Sequence, residues 1–191
     1  MTERFDITET PFRRPRFDRK AMLALMDADA LPHDRRIEMI DGELLEMNPA
    51  RHRHGSAIVQ LAAAILPQLR GGENCVTDAA LFLTDNTMLA PDLTVLPHGR
   101  LAEEAKGDEV LLVIEVADST LRYDLNTKAQ LYAANRVREY WVVELGKCRL
   151  HIHRDPTAEG YLNVSSRAWT EQATPLSLPD LTLTLAKVLR P

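Results

Sequence analysis

The sequence predicts a mixed α/β domain, a central mixed β-sheet flanked by helices, and three observations predict it. Short apolar, β-branched runs recur at Met88–Leu96, Glu109–Ala117 and Val137–Leu145, lengths that suit strands. Segments with apolar residues at helical spacing alternate with them, at Phe17–Met26, Ser56–Arg70 and Asp124–Ala134. The last helix falls between two strand runs, which is the order of one parallel crossover in an otherwise antiparallel sheet.

Taken in order, residues 1–16 are polar and Pro-containing and read as an N-terminal arm; 17–191 read as a single domain. Asp18 is placed to cap a first helix with Met22, Leu23, Leu25 and Met26 as its apolar stripe, ended by Pro32. Arg36–Met47 reads as a hairpin around Asp41-Gly42, a pair that tolerates the positive φ of tight hairpin turns, closed by Asn48-Pro49. A second helix begins at His54 or Ser56, buries Ile58, Val59, Leu61, Ala62, Ile65, Leu66 and Leu69, and stops at Gly71-Gly72. Strands are expected at Asn74–Leu83, Met88–Leu96 and Glu109–Ala117, with a charged surface loop over Pro97–Asp108. A third helix capped by Asp124 follows, then strands at Val137–Leu145 and Cys148–His153 turning at Gly146-Lys147, a further strand at Tyr161–Ser166 and an amphipathic terminal element at Leu181–Leu189.

Composition bounds the function classes. The chain has 191 residues, room for a sizeable core. No apolar run approaches the ~20 residues of a membrane span, and the first 17 residues contain no signal-type apolar core, so a cytoplasmic protein is the default expectation. Cys75 and Cys148 stand in no CxxC pattern and are expected to be lone buried thiols. A net charge of −5 argues against coating nucleic acid through a global positive field. Arginines do cluster at Arg13, Arg14, Arg16 and Arg19 with Lys20, and again at Arg35, Arg36, Arg51 and Arg53, where they either decorate a solvated surface or rim a phosphate groove.

The chemistry concentrates at Glu115. A carboxylate inside the apolar run Val110–Ala117 must be paired, metal-bound or neutralised. Alternation puts Val113, Glu115 and Ala117 on one face and Ala90, Asp92, Thr94 and Leu96 on one face of the neighbouring run. If those strands adjoin with faces aligned, the two acids repel, and a divalent cation relieves the conflict; oxygen donors suit Mg²⁺ or Mn²⁺, with the Val116 carbonyl as a third ligand. Lys128 shares a helical stripe with Leu125, Ala129 and Tyr132, the one polar member of the face that packs on the sheet. It either snorkels to the surface or places an ammonium at the acids.

These residues carry a resemblance. Ile37–Ala50 (IEMIDGELLEMNPA), a helix opened by His54, Ala90–Leu96 (APDLTVL), Leu112–Ala133 (LVIEVADSTLRYDLNTKAQLYA) and Val137–Leu145 (VREYWVVEL) resemble, in order, the Uma-type family of restriction-endonuclease-like proteins in the PD-(D/E)xK nuclease superfamily. The resemblance implies that Asp92 is the signature aspartate, Glu115 the second acid and Glu38 an acid that completes the metal shell. The superfamily lysine normally stands two positions after the second acid, where this chain has Ala117; the resemblance implies that Lys128 has taken its place. It further implies Mg²⁺- or Mn²⁺-dependent hydrolysis of DNA by an endonuclease, with Asp92, Glu115 and the Val116 carbonyl at the metal and Lys128 positioning water, and a homodimer. A non-cleaving nucleic-acid-binding or regulatory protein on the same fold is the alternative, and an interaction module using the sheet edge is a third.

Other motifs are weaker. His52 with His54 and His151 with His153 lack further ligands for zinc, and His54 is expected to cap or abut the second helix near the site. Tyr140-Trp141 reads as core rather than as a base-stacking platform. Asp118, Ser119 and Asp124 suit turns and caps. No phosphate-cradling glycine loop and no Gly-x-Ser-x-Gly elbow occurs.

Overall fold

The computed structural model describes residues 15–32, 34–47 and 52–189. Most of the expected N-terminal arm, with Arg13 and Arg14, lies outside the described residues, as do Asn48-Pro49 and Arg51.

Helix α1 spans Arg19–Asp27, and Asp18 caps it as expected, its side chain accepting from Ala21 N at 2.8 Å. The helix stops at Asp27, before Pro32, because Asp29 turns the chain at φ +55°. Only Met22 of its stripe is fully buried, and Met26 is exposed. Strands β1 (Ile37–Ile40) and β2 (Glu43–Glu46) form the expected hairpin, with Asp41 and Gly42 at φ +50° and +77°. Helix α2 runs His52–Ile65 and tightens into a 3₁₀ turn at Leu66–Gln68, around Pro67. Its buried face is narrower than the sequence suggests: Ala57, Ile58, Leu61 and Ile65 are buried, while Val59 and Leu66 are exposed.

The next two strand runs each break in half. Asn74–Leu83 divides into β3 (Asn74–Thr77) and β4 (Leu81–Thr84), and Met88–Leu96 into β5 (Thr87–Leu89) and β6 (Leu93–Leu96). β3 pairs β6, and β4 pairs β5, so one antiparallel ribbon passes from one sheet to another. The corner lies where Asp78 takes φ +51° opposite Ala90-Pro91-Asp92, and Asp78 N donates to Pro91 O at 3.1 Å. Pro91 has no N–H to give a ladder, which is why the run cannot continue through it.

The Pro97–Asp108 loop carries short 3₁₀ turns at Ala102–Glu104 and Gly107–Glu109 and leads into β7 (Leu112–Ala117). A continuous helical stretch follows: α3 (Leu121–Tyr123), a π-helical turn (Asp124–Lys128) and α4 (Ala129–Ala134). Asp124 is therefore inside the helix and not its cap; Thr120 holds the cap position, its hydroxyl donating to Asp124 Oδ2 at 2.5 Å. Then come β8 (Glu139–Glu144), β9 (Arg149–Thr157), β10 (Gly160–Ala168), the short pair β11 (Gln172–Ala173) and β12 (Leu183–Thr184), and α5 (Leu185–Val188).

The central sheet has six strands in the order β10-β9-β8-β7-β6-β3, and β1, β2, β4 and β5 form a second sheet in the order β2-β1-β5-β4. Only β7 and β8 run parallel in the central sheet, joined by the helical crossover the sequence predicts. One face packs Ile114, Val116, Trp141 and Val143 against α2 and the C-terminal segment. The other packs Val113, Ala117, Tyr140 and Val142 against Ala129 and Tyr132 of α4. Under the second sheet, Met22, Met39, Phe82 and Met88 make a smaller cluster. Glu139 ties down the C-terminal segment: fully buried, it accepts from Arg154, from Trp141 Nε1 at 2.7 Å and from Leu176 N at 2.5 Å. Tyr140 and Trp141 are core residues. Cys75 and Cys148 are free and half-buried rather than fully buried, and burial pushes the Cys75 thiol up to about 11. Among the described residues no helix is long and apolar enough to cross a membrane.

Candidate active site

The ribbon's corner and the end of β6 create the site. The β6–β7 register pairs Thr94 with Val113 and Leu93 with Ile114. One step further it sets Asp92 opposite Glu115, on the same face as Val113 and Ala117. Odd residues of β7 bond toward β8, as Leu145 N donating to the Ala117 carbonyl shows, so Val116 directs its peptide N–H toward β6. β6 has already ended there. The Asp92 side chain replaces the missing ladder acceptor, and Val116 N donates to its Oδ2 at 2.6 Å. The acid is thus locked into the sheet by the break that Pro91 causes.

Asp92 has two further partners. Arg36 Nη1 donates to Oδ1 at 2.8 Å, and His54 Nε2 donates to Oδ2 at 3.1 Å. Burial alone would raise this carboxyl, but the His54 hydrogen bond and the Arg36 charge outweigh it and hold Asp92 well below the ordinary carboxylate range. The same hydrogen bond raises His54, against the effect of its burial. Glu115 is anchored from the crossover helix: Lys128 Nζ donates to Oε1 at 2.8 Å and the Tyr132 hydroxyl donates to the same oxygen at 2.9 Å. Lys128 also contacts Glu38 Oε1, on β1, at 2.9 Å. Glu38 accepts from Ala90 N and the Tyr123 hydroxyl, both at 3.4 Å.

Glu38, Asp92, Glu115 and Lys128 are between 0% and 2% exposed, so their charges must be settled by one another. One ammonium between two carboxylates leaves a negative charge in excess. Burial first, then the nearby Asp92 charge, push Glu115 up to about 8 despite Lys128. Lys128 is raised as well: burial lowers it, but Glu115 and Glu38 more than reverse that and hold it firmly charged. Lys128 therefore does not snorkel to the surface. The π turn helps place it, because that turn buries Asp124 and Lys128 together; π turns are rare and recur at functional sites. The Asp124 carboxyl is raised, mainly by burial.

A cavity of about 650 Å³ opens over the group, walled by Arg36, His54, Asp78, Asp92, Glu115, Asp124 and Lys128 among others. The structure thus brings together all four side chains singled out from the sequence, drawn from β1, the β5–β6 corner, β7 and the π turn. It adds Arg36, Asp78, Tyr132 and Asp124. A Tyr at the stripe position four residues after Lys128 was the one advance signal for Tyr132; nothing in the sequence tied Arg36 to Asp92. His54 sits near the site as expected, but as a partner of Asp92 from inside α2 and not as that helix's cap. His151 instead bonds Glu144 at 2.8 Å, and His153 packs between Tyr140 and Tyr161, so that pair forms no metal site. Among the described residues no group of three or more His, Cys, Asp or Glu is placed to hold a metal ion, so a metal here would rest on two carboxylates and backbone or water oxygens.

Residues 23–186 match the model of the Uma2 family, described as "Putative restriction endonuclease". A crystal structure of a "putative nuclease belonging to DUF820" from Anabaena variabilis ATCC 29413 shares the fold, with a TM-score of 0.67 and 13% sequence identity over 86% of this chain and 96% of that one. The architecture is restriction-endonuclease-like. A search of curated proteins gave no match.

Proposed function

Because this chain belongs to the Uma2 family, described as "Putative restriction endonuclease", we propose that it is a divalent-metal-dependent endonuclease that hydrolyses DNA phosphodiester bonds at the cavity over Asp92 and Glu115. One observation carries the reading: two buried carboxylates, Asp92 at the β5–β6 corner and Glu115 on β7, share a cavity with a buried lysine. That donor set fits Mg²⁺ or Mn²⁺. Asp92 Oδ1 and the Glu115 carboxylate would hold the ion, with the Val116 carbonyl, which leaves β7 on the same side as the N–H that reaches Asp92. When bound, such an ion supplies charge stabilisation for the phosphate and a more acidic water.

The chain's own residues do the rest. Val116 N–H and His54 fix the orientation of Asp92 through Oδ2. Tyr132 fixes Glu115, and Glu38 and Glu115 take two of the three donors of Lys128, leaving the third for the cavity that Lys128 lines. From there Lys128 orients the attacking water and stabilises charge growing on the phosphate.

A second reading, nucleic-acid binding without cleavage, draws on the extent to which Asp92 is already neutralised by Arg36 and His54. Supercoiled plasmid incubated with Mg²⁺ or Mn²⁺ separates the two. The wild type is expected to nick and linearise it, and Asp92→Asn to be slower by about 100-fold or more while keeping its far-UV circular dichroism. Equal rates in the two proteins remove the assignment; plasmid retention without cleavage by the wild type selects the second reading.

A further inference from the structure

A phosphate entering this cavity meets a largely acidic wall, so its cations need a separate account. Lys128 directs two of its three donors to Glu115 and Glu38. Arg35 is paired with Glu46, and with Asp34 at 3.8 Å. Arg36 differs. Its one side-chain hydrogen bond among the described residues runs from Nη1 to Asp92 Oδ1, at 2.8 Å. Nη2 lies 3.2 Å from Asp78 Oδ1 but outside hydrogen-bond alignment, and both Nε and Nη2 are buried without a hydrogen-bond partner among the described residues.

Nε and Nη2 form one edge of the guanidinium, the edge that grips paired or single oxyanions. Arg154 of this same chain uses that edge on Glu139 Oε1, Nε at 2.9 Å and Nη2 at 2.7 Å. In Arg36 the edge faces the Asp78 carboxylate as an ion pair but makes no hydrogen bond among the described residues, and the guanidinium lies at the cavity wall, an arrangement that favours exchange for an incoming oxyanion. The remaining Asp92 contact is also separable. Val116 N–H and His54 hold Oδ2, so the carboxylate stays anchored when Arg36 leaves Oδ1.

We infer that Arg36 is the phosphate-binding residue of the site: its guanidinium exchanges Asp92 Oδ1 for two oxygens of the substrate phosphodiester, gripping them with the Nε–Nη2 edge. The inference rests on the nuclease reading for its substrate, but not for its test. A lysine cannot substitute, because an ammonium is a point charge without the planar fork.

Calorimetric titration with inorganic phosphate, and with a double-stranded oligonucleotide in Ca²⁺, is performed on the wild type, Arg36→Lys, Asp92→Asn and the charge-balanced double variant Arg36→Gln/Asp92→Asn. Asp92→Asn is expected to bind phosphate more tightly than the wild type, since it frees Nη1. The double variant should lose about tenfold or more relative to Asp92→Asn, and Arg36→Lys about tenfold relative to the wild type. Oligonucleotide affinity should fall in parallel in the double variant, with a salt slope lower by about one. Equal phosphate and oligonucleotide affinity in Asp92→Asn and the double variant overturns the inference, as does a wild type that binds neither. Plasmid cleavage that survives such a result leaves the nuclease reading standing; Arg36-dependent phosphate binding without any cleavage leaves this inference standing alone.

Discussion

Lys128→Met tests whether the ammonium between Glu38 and Glu115 is what holds the buried acids. Nζ lies 2.9 Å from one and 2.8 Å from the other, and both carboxyls are at most 2% exposed. Without the ammonium, hydroxyl and amide donors remain but no adjacent cation, so a further carboxylate must give up its charge on folding. Neutralising one glutamate at pH 7, against a reference pKa of about 4.3, costs about 4 kcal/mol at ~1.4 kcal/mol per unit. That agrees with the ~3–5 kcal/mol found when one partner is deleted from a buried pair. Urea unfolding followed by the fluorescence of the buried Trp141 and Trp169 measures it. The same arithmetic makes the loss shrink to about 1 kcal/mol at pH 4.5, where protonation is nearly free. Adding Glu38→Gln to Lys128→Met should recover most of it at pH 7. A variant within about 1 kcal/mol of the wild type at pH 7, or a loss that is the same at both pH values, would refute the argument.

Glu115 has its folded pKa raised to about 8, so its contribution to stability is full below the unfolded value and is lost as pH rises toward 8; Glu115→Gln should flatten the stability–pH profile across that window. Mn²⁺ binding at the site should release about one proton per ion below pH 8, read by calorimetry in buffers of differing ionisation enthalpy, and the release should vanish in Glu115→Gln. Tyr132→Phe removes a 2.9 Å hydrogen bond to Glu115 and should cost about 1–3 kcal/mol of stability while shifting that proton release to higher pH, both measurable on the purified variant. Gly107→Ala drives a Cβ to 2.0 Å from the Asn135 carbonyl at the end of the crossover helix, and should lower stability by about 1–3 kcal/mol in thermal or urea melts.

Much of this protein is written in local sequence. Asp18 caps α1 because a side-chain acceptor stands three residues before a free amide, and Asp41-Gly42 turns its hairpin because those residues accept positive φ. The period-two alternation of side chains along β7 puts Glu115 on one face, and the run-helix-run order forces β8 to lie parallel to β7. Each of these depends on interactions within a few residues or on a simple repeat. What the sequence leaves open is how distant segments meet. The ribbon changes sheets at Asp78 and Pro91, so two apparent long strands are four short ones, and Asp92 fills a vacant ladder position instead of continuing a strand. Lys128 bridges Glu38 and Glu115, and Arg36 reaches Asp92 across 56 positions of chain. Residue identity and spacing settle which side chains carry charge and which face they take. Which charges neutralise one another is decided only by the packed fold, because burial forces every ionised group to find its partner wherever the tertiary structure has placed one.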